Sequence, residues 1–167
     1  SGRLEHLTET LNAVIALKRR IIEDLRPSTL DNLGLCPALE ILCRDFASRM
    51  DVGVQPDLQP VRLSRSAQLT AFRIVQETLT NISKYAKARH VDVSLREEDG
   101  MARVRIRDDG VGFDPERTAH TRHGLRGMRF RVEAERGTLT ITSSPGAGSV
   151  IEAALPLEED DRHPADA

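Results

Sequence analysis

Two groups of side chains in this sequence have types and spacings that could do chemistry. Arg73, Glu77, Asn81 and Lys84 follow one another at steps of 4, 4 and 3, which lines them up on one side of a helix. Downstream, Asp108 stands just before Gly110 and Gly112. An Asn amide oxygen is a hard ligand suited to Mg²⁺, an ion that is held by few protein groups and by nucleotide phosphates. A Lys one turn on suits a phosphate oxygen, and Glu77 could polarise a water or an incoming nucleophile as a general base. A buried carboxylate such as Asp108 can accept from an amine, and glycines after it let backbone approach a ligand closely. The two groups read together as one nucleotide site.

The elements that must position these groups can be read from periodicity. Phe72, Val75, Leu79, Ile82 and Ala86 recur at steps of 3 and 4, so a helix from about Gln68 to Ala88 buries one stripe in a core. Val91, Val93 and Leu95 alternate with polar residues, Asp99-Gly100 is a hairpin signal, and Ala102, Val104 and Ile106 continue a second strand that arrives at Asp108. Residues 113–122 are polar and without period, which predicts a mobile loop. Leu125, Met128 and Val132 predict a helix opened by Gly124 and closed by Gly137. Strands follow at Leu139–Ile141 and Val150–Leu155, with a turn over Ser143–Gly148 between them.

Upstream, Leu4, Leu11 and Leu25 hold one heptad position and Leu7, Val14 and Ile21 the other, with Lys18 interrupting. Such a seam suits a coiled coil or helical bundle; the alternative is a helix packed on its own domain. That helix should stop at Arg26, because Pro27 disfavours helical geometry before it. Asp31 to Gly34 is a turn or a short helical end. Pro37 fits the first turn of a new helix with Ala38, Leu39, Leu42 and Phe46 inward, and Asp51 to Arg65 holds a weak strand and a loop. Residues 158–167 form an acidic tail, expected to be disordered. Helices first, then strands joined mostly by hairpins, predict an α+β sandwich with one sheet covered on one face.

Composition narrows the partners. The 167 residues carry 24 basic and 26 acidic side chains, a net charge of -2 with no basic surplus for nucleic acid. Four Phe, one Tyr and no Trp argue against base-stacking platforms. No apolar run approaches the roughly 20 residues of a membrane span. Cys36 and Cys43 lack CxxC spacing and read as reduced thiols in a cytoplasmic protein.

Four stretches in order resemble the N, G1, G2 and G3 boxes of the GHKL ATPases, which share the Bergerat fold. They are Glu77-x-x-x-Asn81-x-x-Lys84, Asp108-Asp109-Gly110-Val111-Gly112-Phe113, His123-Gly124-Leu125-Arg126-Gly127-Met128 and Gly146-Ala147-Gly148-Ser149. The stretch from Leu25-Arg26-Pro27 through Leu33-Gly34-Leu35 and the helix after it is similar to sensor histidine kinases of the nitrate/nitrite-sensor class, whose catalytic domains lack a long ATP lid. This resemblance implies a two-layer GHKL sandwich that binds ATP and Mg²⁺. It further implies that Asp108 reads the adenine amino group with Ser149 beside it, that Asn81 holds the metal, and that Lys84 meets phosphate. Tyr85, Gly110, Gly112, His123, Gly124, Leu125, Gly127, Met128 and Gly148 complete the nucleotide contacts on the same ground, and Glu77 is the catalytic base. Gly124 and Gly127 suit a phosphate cradle, because helix N-termini favour anions.

The sequence departs from the family at three places: Tyr85 stands where His is frequent, Phe130 where Glu is common, and Asp109 where Asn is usual. The phosphoacceptor motif, a His followed by an acidic residue, is missing, since His6 precedes Leu7. The implied organisation is the end of a dimerisation helix over 1–26, a linker over 27–36, the ATP-binding catalytic domain over 37–157 and the tail over 158–167. The implied partners are a second copy through the N-terminal helix and a response regulator, with any membrane anchor lying elsewhere in the intact protein. Two alternatives remain: a GHKL serine kinase of the anti-sigma type, and a degenerate ATP site kept as a scaffold.

Overall fold

A computed structural model describes residues 2–118 and 123–159; the side chains of 2, 3, 5, 16, 18–25, 118 and 123 lie outside that description. The expected tail beyond 159 and the end of the expected loop, 119–122, also lie outside it. The chain begins with a long helix, α1 (Gly2–Leu25), then a short α2 (Ser28–Leu33) and α3 (Leu35–Met50). Strand β1 (Gly53–Leu58) leads to α4 (Arg65–Asn81), which runs into a π-helical turn over Ile82–Ala86. The hairpin β2 (His90–Glu98) and β3 (Met101–Asp108) follows, then α5 (Pro115–Thr118), α6 (His123–Ala134), β4 (Thr138–Ser143) and β5 (Ser149–Pro156).

The strands make one sheet in the order β1-β2-β3-β5-β4. β1 runs parallel to β2 and every other pairing is antiparallel. Asp99 and Gly100 both have positive φ, 52° and 73°, as the tightest hairpin turn between twisted strands requires. Because side chains alternate across a strand, Val91, Val93 and Leu95 share a face with Ala102, Val104 and Ile106 and with Ile151, Ala153 and Leu155. All nine are buried. Helices cover that face: Leu39, Cys43 and Phe46 come from α3, Ile74, Val75 and Leu79 from α4, and Leu125, Met128 and Val132 from α6. The other face carries Asp92, Arg105, Arg107 and Thr140 and is open to solvent. The fold is the expected α+β sandwich, one sheet with helices on one side.

The first helix ends at Leu25, one residue before the predicted stop. Residues 27–36, expected as a linker, include α2 and the start of α3, and Leu30 and Leu35 are buried in the core. Arg26 and Arg65 both pair with Asp31, which ties the junction after α1 to the N-terminal turn of α4. Along α1, Leu4, Leu7, Leu11 and Val14 are 56 to 73 % exposed, so these residues do not pack on their own domain. Lys18, Ile21 and Leu25, the rest of that heptad reading, fall among the side chains outside the description. In the loop expected over 113–122, α5 gives one helical turn, opened by the Asp114 carboxylate accepting from the Glu116 amide at 3.0 Å.

Candidate nucleotide site

The alternation that builds the core also carries a carboxylate into it. Asp108 follows Ala102, Val104 and Ile106 on the inward face of β3 and is only 4 % exposed. Its register partner on β5 is Ser149, the first inward residue of that strand. The Ser149 hydroxyl donates to Oδ2 of Asp108, and the Gly110 amide donates to Oδ1 at 2.8 Å. Each carboxylate oxygen retains a lone pair for one further donor.

Beside this pair the sheet, α4 and α6 leave a cleft that opens to solvent. Thr78, Asn81, Ile82, Tyr85 and Ala86 form its helical wall, and Leu125 faces them from α6. Asp108, Gly112 and Phe113 close one end, with Ser149 and Ile151 of β5 beneath. The lining is mostly apolar with a few convergent polar groups, the usual make-up of a site for a flat organic ligand. One amide atom of Asn81, assigned as Nδ2, is buried without a hydrogen-bond partner. The two ends of an Asn amide exchange by a half-turn, so Asn81 can present either an oxygen or an amine to a ligand. A buried amide atom without a partner is destabilising until a hydrogen-bonding group meets it.

Helix α4 does not continue in α-geometry to Ala88 as periodicity predicts. At Ile82 the bonding widens to a π turn, a local insertion found often at functional sites. Asn81, just before it, and Tyr85, within it, lie on the same wall of the cleft. Lys84 is instead exposed, outside the cleft lining. The turn ends with Ala86 pointing its carbonyl at the loop after β3, where the Val111 amide donates to it at 2.7 Å. A Cβ on Gly110 would lie 2.3 Å from that same carbonyl, so only glycine lets the loop pass under the helix end.

The loop is held from the other side by the β4–β5 turn. The Gly146 amide donates to the Val111 carbonyl at 2.7 Å. Gly148, at φ +69°, packs so closely that a Cβ there would lie 2.1 Å from the Asp108 carbonyl. Glu77 and Gly124 meet outside the cleft, where a Cβ on Gly124 would come within 2.1 Å of the Glu77 Oε1. Glu77 also lines a second, wider groove between α3 and α4 with Phe46, Met50 and Thr80. A Cβ on Gly127 would meet nothing nearer than the Arg131 guanidinium at 3.7 Å. Met128 is wholly buried, with its sulfur 3.8 Å from the Thr78 hydroxyl. The structure thus gathers Asn81, Tyr85, Asp108, Gly112, Leu125 and Ser149 around the cleft, with Gly110 and Gly148 packed behind it. It leaves Glu77, Lys84, Gly124, Gly127 and Met128 off the lining, and the His123 side chain is outside the description.

Sequence reasoning missed Thr78, Phe113 and Ile151 as cleft residues. The signal for Thr78 is its step of 3 from Asn81, on a wall that mixes polar and apolar positions rather than following the polar stripe alone. It also missed the role of Asp109. The Asp109 Oδ1 accepts from the amides of Arg89 and His90 at 2.8 and 2.9 Å, and the His90 Nδ1–H donates to Oδ2 at 3.0 Å. These bonds, His90's backbone first, hold the Asp109 carboxyl well below its ordinary value of 3.8, at about 2. A depressed carboxyl pKa stabilises the fold above the unfolded value and loses that contribution as pH falls through the folded one. Since the group is 47 % exposed, screening reduces its worth to less than about 1 kcal/mol. Melting curves of the protein and of Asp109→Asn should therefore differ at pH 6 and converge between about pH 4 and pH 2; a constant gap over that window would refute the linkage.

The sequence family described as histidine kinase-, DNA gyrase B- and HSP90-like ATPases matches residues 66–159, the span that contains every element of the cleft. The chain belongs to this family. Among curated proteins it is 35% identical over 158 residues to the signal transduction histidine-protein kinase/phosphatase DegS of Brevibacillus brevis, covering 92% of this chain and 40% of that protein. It is 37% identical over 153 residues to the sensor histidine kinase MctS of Rhizobium johnstonii, covering 89% of this chain and 33% of that one. The chain thus spans well under half the length of these two relatives. Its fold is shared with the histidine kinase domain of the blue-light activated histidine kinase from Erythrobacter litoralis EL346, at a TM-score of 0.62 and 22% identity, covering 72% of this chain and 59% of that structure. The matched span makes the chain a GHKL-type ATPase domain, and both of these relatives are named as histidine kinases.

Proposed function

We propose that this chain is the nucleotide-binding part of a two-component sensor kinase that moves the γ-phosphoryl group of ATP to a histidine outside this sequence. The observation that carries the reading is one cleft lined by both the buried Asp108 and Asn81, whose buried amide atom has no partner. Asp108 and Ser149 take the amino edge of adenine, while Ile82, Leu125 and Ile151 cover its faces. With its oxygen turned inward, Asn81 fits a Mg²⁺ ion that keeps most of its shell from water and phosphate. That ion would supply charge neutralisation on the phosphates. Lys84 and the first-turn amides of α6, around Gly124, serve the phosphate end, where a helix N-terminus favours anions.

Glu77 lies beyond the cleft lining, toward the α3–α4 groove, which suits contact with an incoming acceptor better than contact with the nucleotide. In the transfer, the bond between the γ-phosphorus and the β–γ bridging oxygen breaks and ADP leaves. A P–N bond forms on the acceptor imidazole, whose N–H is held by the Glu77 carboxylate. From that histidine the phosphoryl group passes to an aspartate of a response regulator. The exposed apolar residues of α1 support pairing with a second copy in the intact, cytoplasmic transmitter. No helix among the described residues is long and apolar enough to cross a membrane.

Titration calorimetry with ADP and ATP, with and without Mg²⁺, tests the reading. The chain should bind both nucleotides, and Asn81→Ala should remove most of the gain in affinity that Mg²⁺ gives while leaving metal-free binding within about three-fold, since the adenine end is untouched. A folded chain without nucleotide affinity would instead favour a scaffold role. Incubation with γ-labelled ATP should leave the chain unlabelled, and acid-labile label on it would show that it carries its own acceptor.

A further inference from the structure

Ser143 ends β4, and its hydroxyl stands between the two turns that bound the cleft. It accepts from the Phe113 amide at 2.9 Å and donates to the Gly148 carbonyl at 2.7 Å. The first partner follows Gly112 in the loop after β3; the second precedes Ser149 at the head of β5. A hydroxyl can donate and accept at once, which is what a bridge between an N–H and a C=O requires. Around it the two backbones touch, since a Cβ on Gly112 would lie 2.0 Å from the Ser144 carbonyl and 2.8 Å from that of Gly148.

We infer that Ser143 is a positioning residue for the nucleotide: its hydroxyl latches the loop carrying Phe113 to the strand end carrying Ser149, and so sets the width of the cleft at its adenine end. Phe113 lines the cleft on one side of the latch. Ser149 on the other side orients the Asp108 carboxylate through its hydroxyl. Neither contact requires Ser143 to touch the ligand. Turn serines commonly bond only their own local backbone. Here the acceptor bond runs to a residue 30 positions away, which a local turn role does not need. With the latch broken, the two turns can separate, and binding must first close them again.

This inference rests on the nucleotide reading, and the experiment separates the two. ADP affinity by calorimetry, melting temperature, and hydrogen exchange at the Phe113 amide are measured for the protein and for Ser143→Ala, Ser143→Thr and, as a control in the same turn, Ser144→Ala. All are compared at a temperature where circular dichroism shows every variant folded. Ser143→Ala should weaken ADP binding about five-fold, the worth of one ordinary hydrogen bond, and speed exchange at Phe113 in the ligand-free protein. Ser143→Thr keeps the hydroxyl and should restore both, and Ser144→Ala should change neither. If Ser143→Ala lowers the melting temperature and frees the Phe113 amide but leaves ADP affinity unchanged, the hydroxyl is structural only and the inference falls. Unchanged exchange at Phe113 would show that there is no latch. If the unaltered chain binds no ADP, the nucleotide reading fails and takes the positioning role with it, while the amide still reports whether the two turns are tied.

Discussion

Gly112→Ala should destabilise the domain by about 3–5 kcal/mol and abolish nucleotide binding in the same step. The backbone at Gly112 has φ +64°, which costs a residue with a Cβ about 1–2 kcal/mol. The larger part comes from contact, because the methyl would overlap the carbonyls of Ser144 and Gly148. Both obstacles are backbone, so no side chain can swing aside. The loop after β3 must then lift from the β4–β5 turn, which breaks the Gly146–Val111 and Phe113–Ser143 hydrogen bonds, each worth about 1 kcal/mol. Gly146→Ala is the matched comparison: its φ is +84°, yet nothing lies within 4 Å of a Cβ there, so it should lose only the conformational part. Chemical denaturation of the two variants measures the difference. Equal losses would mean that the crossing of the two turns yields easily and that their close approach does not hold the site together.

How far the site could be read in advance follows from the range of each signal. Period-2 alternation is local and strong, so the inward residues of β3 could be read, including the arrival of Asp108 on that face. The Asp99-Gly100 turn was legible for the same reason, since its two positive φ values are chemistry that neighbouring residues announce. The pairing of Asp108 with Ser149 depends on β5 lying between β3 and β4, an order that no local pattern encodes. The parallel seating of β1 on β2 was hidden likewise. The π turn was illegible because the apolar steps from Phe72 to Ala86 satisfy a plain α-helix, and packing of Ala86 on the loop after β3 overrides that preference. Along that turn Tyr85 lines the cleft, while Lys84 is exposed outside it. Met128 and Gly127 illustrate the opposite case: they belong to a family motif, yet one is core and the other meets nothing close, so motif membership alone does not give a side chain's place.

Asp108→Asn separates recognition from folding more sharply than any other substitution. An Asn oxygen can keep the Gly110 amide as donor, and its amine can turn to the Ser149 hydroxyl, which accepts as readily as it donates. The fold should therefore lose no more than about 1 kcal/mol, the scale of one rearranged hydrogen bond. The cleft meets a larger change, because an oxygen that could accept from an exocyclic amine is replaced by a donor facing a donor. A lost bond to a charged group is worth about 1.5–3 kcal/mol, and an unpaired buried donor adds to it, so ATP and ADP affinity should fall by about 100-fold or more. Inosine nucleotides carry a carbonyl oxygen where adenine carries the amine. For them the new Asn donor is a match, so their affinity should hold or rise in the variant while that of the adenine nucleotides collapses. Calorimetry with both bases reads this reversal directly. If Asp108→Asn binds ATP as the parent does, Asp108 is a strand-end residue capping its own turn, and the base must be read elsewhere in the cleft. If both bases are lost together with the fold intact, the carboxylate acts on the shape of the Gly110 turn, and its charge does not select the purine.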